Sequence, residues 1–174
     1  MYQSEHDELT GLYNKRSLNR YLEDVFEACK LNEKELGILF LDIDYFKQLN
    51  DRYGHGKGDE GICAVADTLK KIFPEDYVAR YGGDEFLVVM TGRDLTYVME
   101  HAESLCAGIR EYKIPNEDSE LEPWLTISVG GVCAIPREPN RVWDFLSAAD
   151  NTLYEQKKEQ KGKVRFYQGE GKYL

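Results

Sequence analysis

Arg80-Tyr81-Gly82-Gly83-Asp84-Glu85-Phe86 lies between two short apolar runs, and the architecture turns on how it is read. Tyr77 to Tyr81 and Phe86 to Thr91 have the length and composition of strands, and adjacent glycines permit the tight turn that makes them a hairpin. The two carboxylates that follow the glycines are the oxygen donors a hard divalent cation requires. Upstream, the apolar run Gly37 to Leu41 ends in Asp42-Ile43-Asp44, a second acid cluster at a strand end. Two such clusters suggest a magnesium-nucleotide site. Taken alone, Gly-Gly-Asp is equally the signature of an ordinary hairpin turn.

Outward from the hairpin, Gly37 to Ile43 reads as a buried strand because its apolar run is unbroken. Asp44 reads as the N-cap of a short helix from Tyr45 to about Tyr53. Gly54-His55-Gly56-Lys57-Gly58-Asp59 reads as a glycine-rich loop. The helix after it carries Ile62, Val65, Ala66, Leu69 and Ile72 on one face and stops near Pro74. On the N-terminal side, Asp7 to Asn14 is turn-rich, and Leu18, Tyr21, Leu22, Val25, Phe26 and Cys29 recur at helical spacing from Lys15 to about Leu31. Towards the C-terminus come a helix from Leu95 to Tyr112, a polar loop from Ile114 to Pro123, and a long strand from Trp124 to Ala134. Gly130-Gly131 inside that strand implies a bulge or close packing. A helix from Val142 to about Lys158 and an edge strand from Val164 to Tyr167 complete the chain. Helices alternating with strands, interrupted by one hairpin, predict a mixed sheet sandwiched by helices in a single α/β or α+β domain.

Composition narrows the function. A chain of 174 residues with 42% hydrophobic and 31% charged residues is a globular domain, able to bury roughly 70% of its unfolded surface. The net charge of −10 argues against binding duplex DNA or RNA, since phosphate backbones demand basic surface. A nucleotide remains possible where metal ions and a few lysines cancel local repulsion. No apolar stretch approaches the length of a membrane helix and no signal segment is present, so no membrane contact and a cytoplasmic location are expected. Cys29, Cys63, Cys106 and Cys133 are scattered without a C-x-x-C pair and read as reduced packing residues rather than a zinc site.

The chain resembles the GGDEF domain of the diguanylate cyclase family from Asp7 to about Lys161. The resemblance is carried by Asp7-x-Leu9-Thr10-Gly11-Leu12-x-Asn14 and by Asp42-Ile43-Asp44-x-Phe46-Lys47-x-x-Asn50-Asp51-x-x-Gly54-His55-x-x-Gly58-Asp59. Arg80 to Phe86, Thr126 to Gly130, and Ala149-Asp150-x-x-Leu153-Tyr154-x-x-Lys157 complete it. It implies a five-stranded sheet with a central hairpin bearing the motif, in a palm-like nucleotidyl cyclase fold. The implied reaction condenses two GTP into 3′,5′-cyclic di-GMP with release of two pyrophosphates. Two Mg²⁺ (or Mn²⁺) ions per active-site half would be held by Asp42, the Ile43 carbonyl, Asp84 and Glu85. Asp84 is also a candidate to receive the 3′-hydroxyl proton. Guanine recognition would fall to Asn50 and Asp59, whose donor and acceptor sets match the guanine edge; as structural residues they would instead cap helices. Phosphate contacts would come from Lys47, backbone N–H groups near Phe46, Lys157 and Lys161. His55 would face the nucleotide or pin its loop, Asp51 would order the turn, and Arg80 would support the hairpin or the phosphates.

Three departures qualify the resemblance. The Arg-x-x-Asp product site of many members reads Phe73-Pro74-Glu75-Asp76, so the aspartate remains without the arginine and no inhibition through it is expected. Lys161 stands where an arginine is usual and loses the bidentate fork. Little precedes Asp7, whereas members usually follow a sensor or coiled coil that pairs two copies. An excised catalytic module, active as a transient antiparallel homodimer with one GTP per protomer, is therefore expected. The alternative is a silent module that binds GTP or cyclic di-GMP without turnover, or, third, an interaction scaffold.

Overall fold

The computed structural model describes residues 4–169, 173 and 174. Its elements are α1 (Lys15–Leu31), β1 (Leu36–Ile43), α2 (Phe46–Tyr53), α3 (His55–Ile72), β2 (Tyr77–Arg80), β3 (Glu85–Thr91), α4 (Leu95–Glu111), β4 (Ile127–Ala134), α5 (Val142–Glu159) and β5 (Val164–Phe166). The five strands form one sheet in the order β2-β3-β1-β4-β5. Only β4 and β5 pair in parallel; the other neighbours are antiparallel. The mixed sheet is as expected, but the hairpin is not central, because β2 is an edge strand and β1 takes the middle.

The alternation of side chains along β1 and β3 builds the two layers. Leu39, Leu41, Ile43, Phe86, Val88 and Met90 face the layer holding α3 and α4. Leu36, Ile38, Phe40, Leu87 and Val89 face α1 and α5. With a period of two, Asp42 and Glu85 fall on the α1/α5 side. That parity decides which helix can reach the acid groups.

Several local readings need correcting. The glycine-rich segment is not a loop: α3 starts at His55, and the break from α2 is confined to Gly54, whose φ of 87° a side chain rarely adopts. Asp44 is not the N-cap of α2. Tyr45 takes that place at φ 53°, with no side-chain cap, because both Asp44 oxygens are spent elsewhere, accepting from Thr126 Oγ1 (2.8 Å) and Ser128 Oγ (2.6 Å). The strand expected from Trp124 begins at Ile127; Trp124 makes only an isolated bridge to Pro115. The segment between α4 and β4 is more than a solvated loop, since Asn116 is fully buried and Arg52 of α2 pairs with Glu117 and Asp118.

Gly130-Gly131 marks close packing rather than a bulge, for the β1–β4 register runs unbroken through it. A Cβ at Gly130 would strike the α5 backbone at Ala149 O and Leu153 N, and would lie 2.8 Å from Leu153 Cα. Backbone cannot swing aside as a side chain can. Gly130→Ala is expected to destabilise the protein by about 3 kcal/mol or more, read as the shift in a urea unfolding curve; a neutral substitution would show that α5 is not seated on the sheet this tightly.

Candidate active site

The C-terminal end of β1 and the start of β3 carry the acid groups. Asp42 and Glu85 are direct partners in the antiparallel register, so their side chains leave the same face about 5 Å apart at Cβ. Both line a cleft of about 500 Å³ with Asp150, Leu153, Tyr154, Lys157, Lys158 and Lys161. Asp84 lies in the turn before β3, where its carbonyl accepts from Ile43 N at 3.2 Å. Parity therefore puts Glu85 in the cleft beside Asp42. Asp84 acts on both through its charge.

The turn itself is tied down from both sides. Tyr81 N and Gly82 N both donate to Glu85 O (2.8 and 3.3 Å). The Arg80 guanidinium donates to the carbonyls of Gly82 (3.1 Å) and Gly83 (2.8 Å), and its other arm reaches Asp7 at 3.2 Å. Arg80 thus supports the hairpin. Asp7 in turn accepts from Thr10 N and Oγ1. Burial alone would raise the Asp7 pKa, but the bonds from Thr10 and Arg80 hold it below the ordinary value.

Asp42 is the strongest electrostatic feature. Lys157 of α5 donates to both of its oxygens at 2.8 Å, and the side chains are only 16% (Asp42) and 25% (Lys157) exposed. Even so, burial pushes the Asp42 pKa from 3.8 up to about 6, with the charges of Asp84 and Asp44 adding to the rise against the pull of Lys157. The Glu85 carboxyl is raised for the same reasons, burial first and then Asp84 and Asp150. Among the described residues no group of three or more metal-binding side chains is already drawn together. The donors that converge are nonetheless all oxygens, and they already hold one cationic group. Such a set fits a hard divalent ion.

The two guanine candidates lie on either side of the α2–α3 junction at Gly54. Asn50 lies inside α2, and its Oδ1 is buried without a hydrogen-bond partner. Asp59 is inside the first turns of α3 and exposed. Neither side chain caps a helix; the Asn50 backbone carbonyl does that for Gly54 N at 2.8 Å. A Cβ at Gly58 would collide with the Asn50 side chain, its Cγ lying 2.9 Å away. The missing side chain gives the Asn50 amide its place against α3. Phe46 opens α2 half-buried against the core, Lys47 is exposed on its first turn, and His55 is exposed at the start of α3. Asp51 is exposed on α2.

Asp44 stands apart from the cleft. It is 1% exposed, its pKa is raised by burial despite the two hydroxyl bonds, and Ser128 also accepts from Gly162 N at 2.9 Å. Asp44 therefore fixes β1, β4 and the turn after α5. Lys161 in that turn stands 5.2 Å from the centre of the Tyr45 ring. At the former product-site position, Phe73 is 1% exposed and belongs to the core, while Asp76 is partly buried and its pKa is raised by that burial. The cleft members that carried no assigned role from sequence, Asp150, Tyr154 and Lys158, share the spacing of three and four residues with Lys157 and Lys161, the pattern that could have found them. A larger hollow of about 850 Å³ lies where α1 meets the segment after β4. Its Lys30 is already paired with Glu27 and Glu138.

Residues 4–163 match the family described as "Diguanylate cyclase, GGDEF domain". The chain belongs to the GGDEF domain family. It is 32% identical over 157 residues to the "Probable diguanylate cyclase DgcC" of Escherichia coli strain K12, covering 89% of this chain and 41% of that protein. It is 31% identical over 165 residues to the "Cyclic di-GMP phosphodiesterase NbdA" of Pseudomonas aeruginosa, covering 93% of this chain and 20% of that one. Among solved structures, the GGDEF domain of DgcB from Caulobacter crescentus in complex with c-di-GMP superposes with a TM-score of 0.86. The identity there is 24%, over 97% of this chain and 99% of that one. The chain thus spans about two fifths of the length of the first of these relatives, and no helix among its described residues is long and apolar enough to cross a membrane.

The raised Asp42 pKa has a consequence for stability. The folded state holds this proton more tightly than the unfolded chain, so stability falls as pH rises from about 4 to about 6, and the loss is complete above that. In metal-free buffer, the stability of Asp42→Asn relative to the parent is expected to be greater at pH 7.5 than near pH 4, because only the parent loses stability as this carboxyl ionises. Urea unfolding at the two pH values checks this; a difference between variant and parent that does not change with pH, or that favours the variant more at pH 4, contradicts it.

Proposed function

We propose that this chain is the catalytic module of a diguanylate cyclase, joining two GTP into 3′,5′-cyclic di-GMP with loss of two pyrophosphates. The observation that carries the proposal is the Asp42–Glu85 pair, two carboxylates opposed across neighbouring strands and met by a lysine in a cleft lined by two more. Such an array suits a triphosphate brought in with divalent cations. When bound by Asp42, the Ile43 carbonyl, Asp84 and Glu85, Mg²⁺ or Mn²⁺ would acidify the attacking 3′-hydroxyl and neutralise the departing pyrophosphate.

The residues of the chain supply the rest. Lys47, the N–H groups at the start of α2 near Phe46, Lys157 and Lys161 would meet phosphate oxygens; the first N–H groups of a helix have no partner within it. Asn50 would offer its side-chain amide to the base, and Asp59 a carboxylate that accepts from the N1–H and amino donors of guanine. Adenine cannot satisfy both. His55, at the start of α3, borders this nucleotide region. Asp84 is the candidate to receive the 3′-hydroxyl proton. Each protomer binds one GTP, so the reaction needs an antiparallel pair, brought together in a longer protein by an N-terminal sensor or dimerisation domain.

With GTP and Mg²⁺ the protein is expected to form cyclic di-GMP at a rate per protomer that climbs with protein concentration. Asp84→Asn and Asp42→Asn are expected to lower that rate at least a hundredfold, on the order of the loss of a principal electrostatic group. Guanosine nucleotide binding without product, in chromatography and calorimetry, would favour the silent-receptor alternative. A rate per protomer unchanged on dilution would remove the paired-protomer mechanism.

Because Phe73 is a core residue and offers no donors, accumulated product is expected not to inhibit through Asp76. Progress curves with added cyclic di-GMP test this, and sub-micromolar inhibition abolished by Asp76→Ala would overturn it.

A further inference from the structure

We propose that Lys157 is the resident counterion of Asp42, and that it must transfer from this carboxylate to a triphosphate before a divalent cation can take both Asp42 oxygens. Cation and nucleotide then bind as a linked pair, each weak without the other. The inference rests on the reading of the cleft as a metal–triphosphate site and adds an order of exchange within it.

The geometry of one side chain carries the argument. The Lys157 ammonium is 2.8 Å from Asp42 Oδ1 and 2.8 Å from Oδ2, so it occupies the position from which an ion would engage the carboxylate through both oxygens. A second positive charge cannot share that position: it would meet the ammonium at close range and compete for the same lone pairs. The other two cleft lysines are differently disposed. Lys158 lies 5.4 Å from the Tyr154 ring centre and Lys161 lies 5.2 Å from that of Tyr45. Their charges are not committed to Asp42.

Lysine suits this exchange. Its ammonium is a point charge on a flexible four-carbon stem, with rotatable donors and no fork to hold it to one partner. A phosphate oxygen offers it another anionic acceptor, so the bond to Asp42 is replaced rather than lost. Asp42 in turn cannot remain alone, because it faces Glu85 across the strand pair and feels Asp84 as well. Release of Lys157 therefore leaves a carboxylate pair in need of a cation. By reciprocity, whatever factor the nucleotide adds to cation affinity, the cation adds to nucleotide affinity.

Mn²⁺ binding to the nucleotide-free protein, followed by the electron paramagnetic resonance signal of the free ion, tests the exchange. Lys157→Met and Lys157→Gln remove the charge with different shapes, and circular dichroism melts show which variants are folded. Each folded variant is expected to bind Mn²⁺ alone about tenfold or more tighter than the parent. The gain should vanish in the Asp42→Asn background. With a non-hydrolysable GTP analogue at saturation, corrected for Mn²⁺ bound by the analogue alone, the parent should gain more Mn²⁺ affinity than the variants do. Equal Mn²⁺ affinity of parent and variants without nucleotide overturns the exchange while leaving the site intact. No Mn²⁺ binding by the parent, even with the analogue, overturns the metal–triphosphate reading itself.

Discussion

Two carboxylates held opposite one another on neighbouring strands repel, and the molecule tolerates that repulsion at the end of its central strand. Every other pair in the β1–β3 ladder puts apolar or neutral groups together, from Leu36 against Thr91 to Leu41 against Phe86. Only the last pair, Asp42 with Glu85, joins two acids. The apolar pairs hold the strands in register, and that register forces the acids together. Lys157 offsets the negative charge here only in part: the Asp42 pKa stays raised, by burial first and then by the charges of Asp84 and Asp44. A site that is costly when empty of cations is one that gains when a cation arrives.

The sheet sorts its acid residues by parity and by partner. Asp42 and Asp44 are two residues apart on the same segment, yet they do opposite work. Asp44 is sealed in by the hydroxyls of Thr126 and Ser128, and Ser128 extends the connection to the Gly162 turn. It keeps β4 and the turn after α5 in place behind the cleft. Asp42 has no hydroxyl partner among the described residues and is held instead by the Lys157 ammonium.

Much of this was legible in the sequence, and the failures have local causes. The strands were found because their apolar runs are unbroken, and the acid clusters because they end those runs. The start of α3 was missed because Gly54, Gly56 and Gly58 look like a loop, whereas only Gly54 breaks the helix and Gly58 is there to make room for Asn50. Asp44 was misread as a cap because its true partners lie some eighty residues further along the chain, which no local pattern records. The pairing of Lys157 with Asp42 was invisible for the same reason. That Glu85 rather than Asp84 lies beside Asp42 follows from strand register, which the sequence alone left open.

The contact of Gly130 with α5 has a mechanical implication. With no gap between the strand and the helix backbone at Ala149 and Leu153, α5 cannot slide or roll towards the sheet, and Lys157 sits one turn beyond that clamp. Torsions of its own stem can then carry its ammonium without moving the helix, once the two bonds to Asp42 are released. Under the exchange proposed above, the ammonium is a swinging arm on a fixed post.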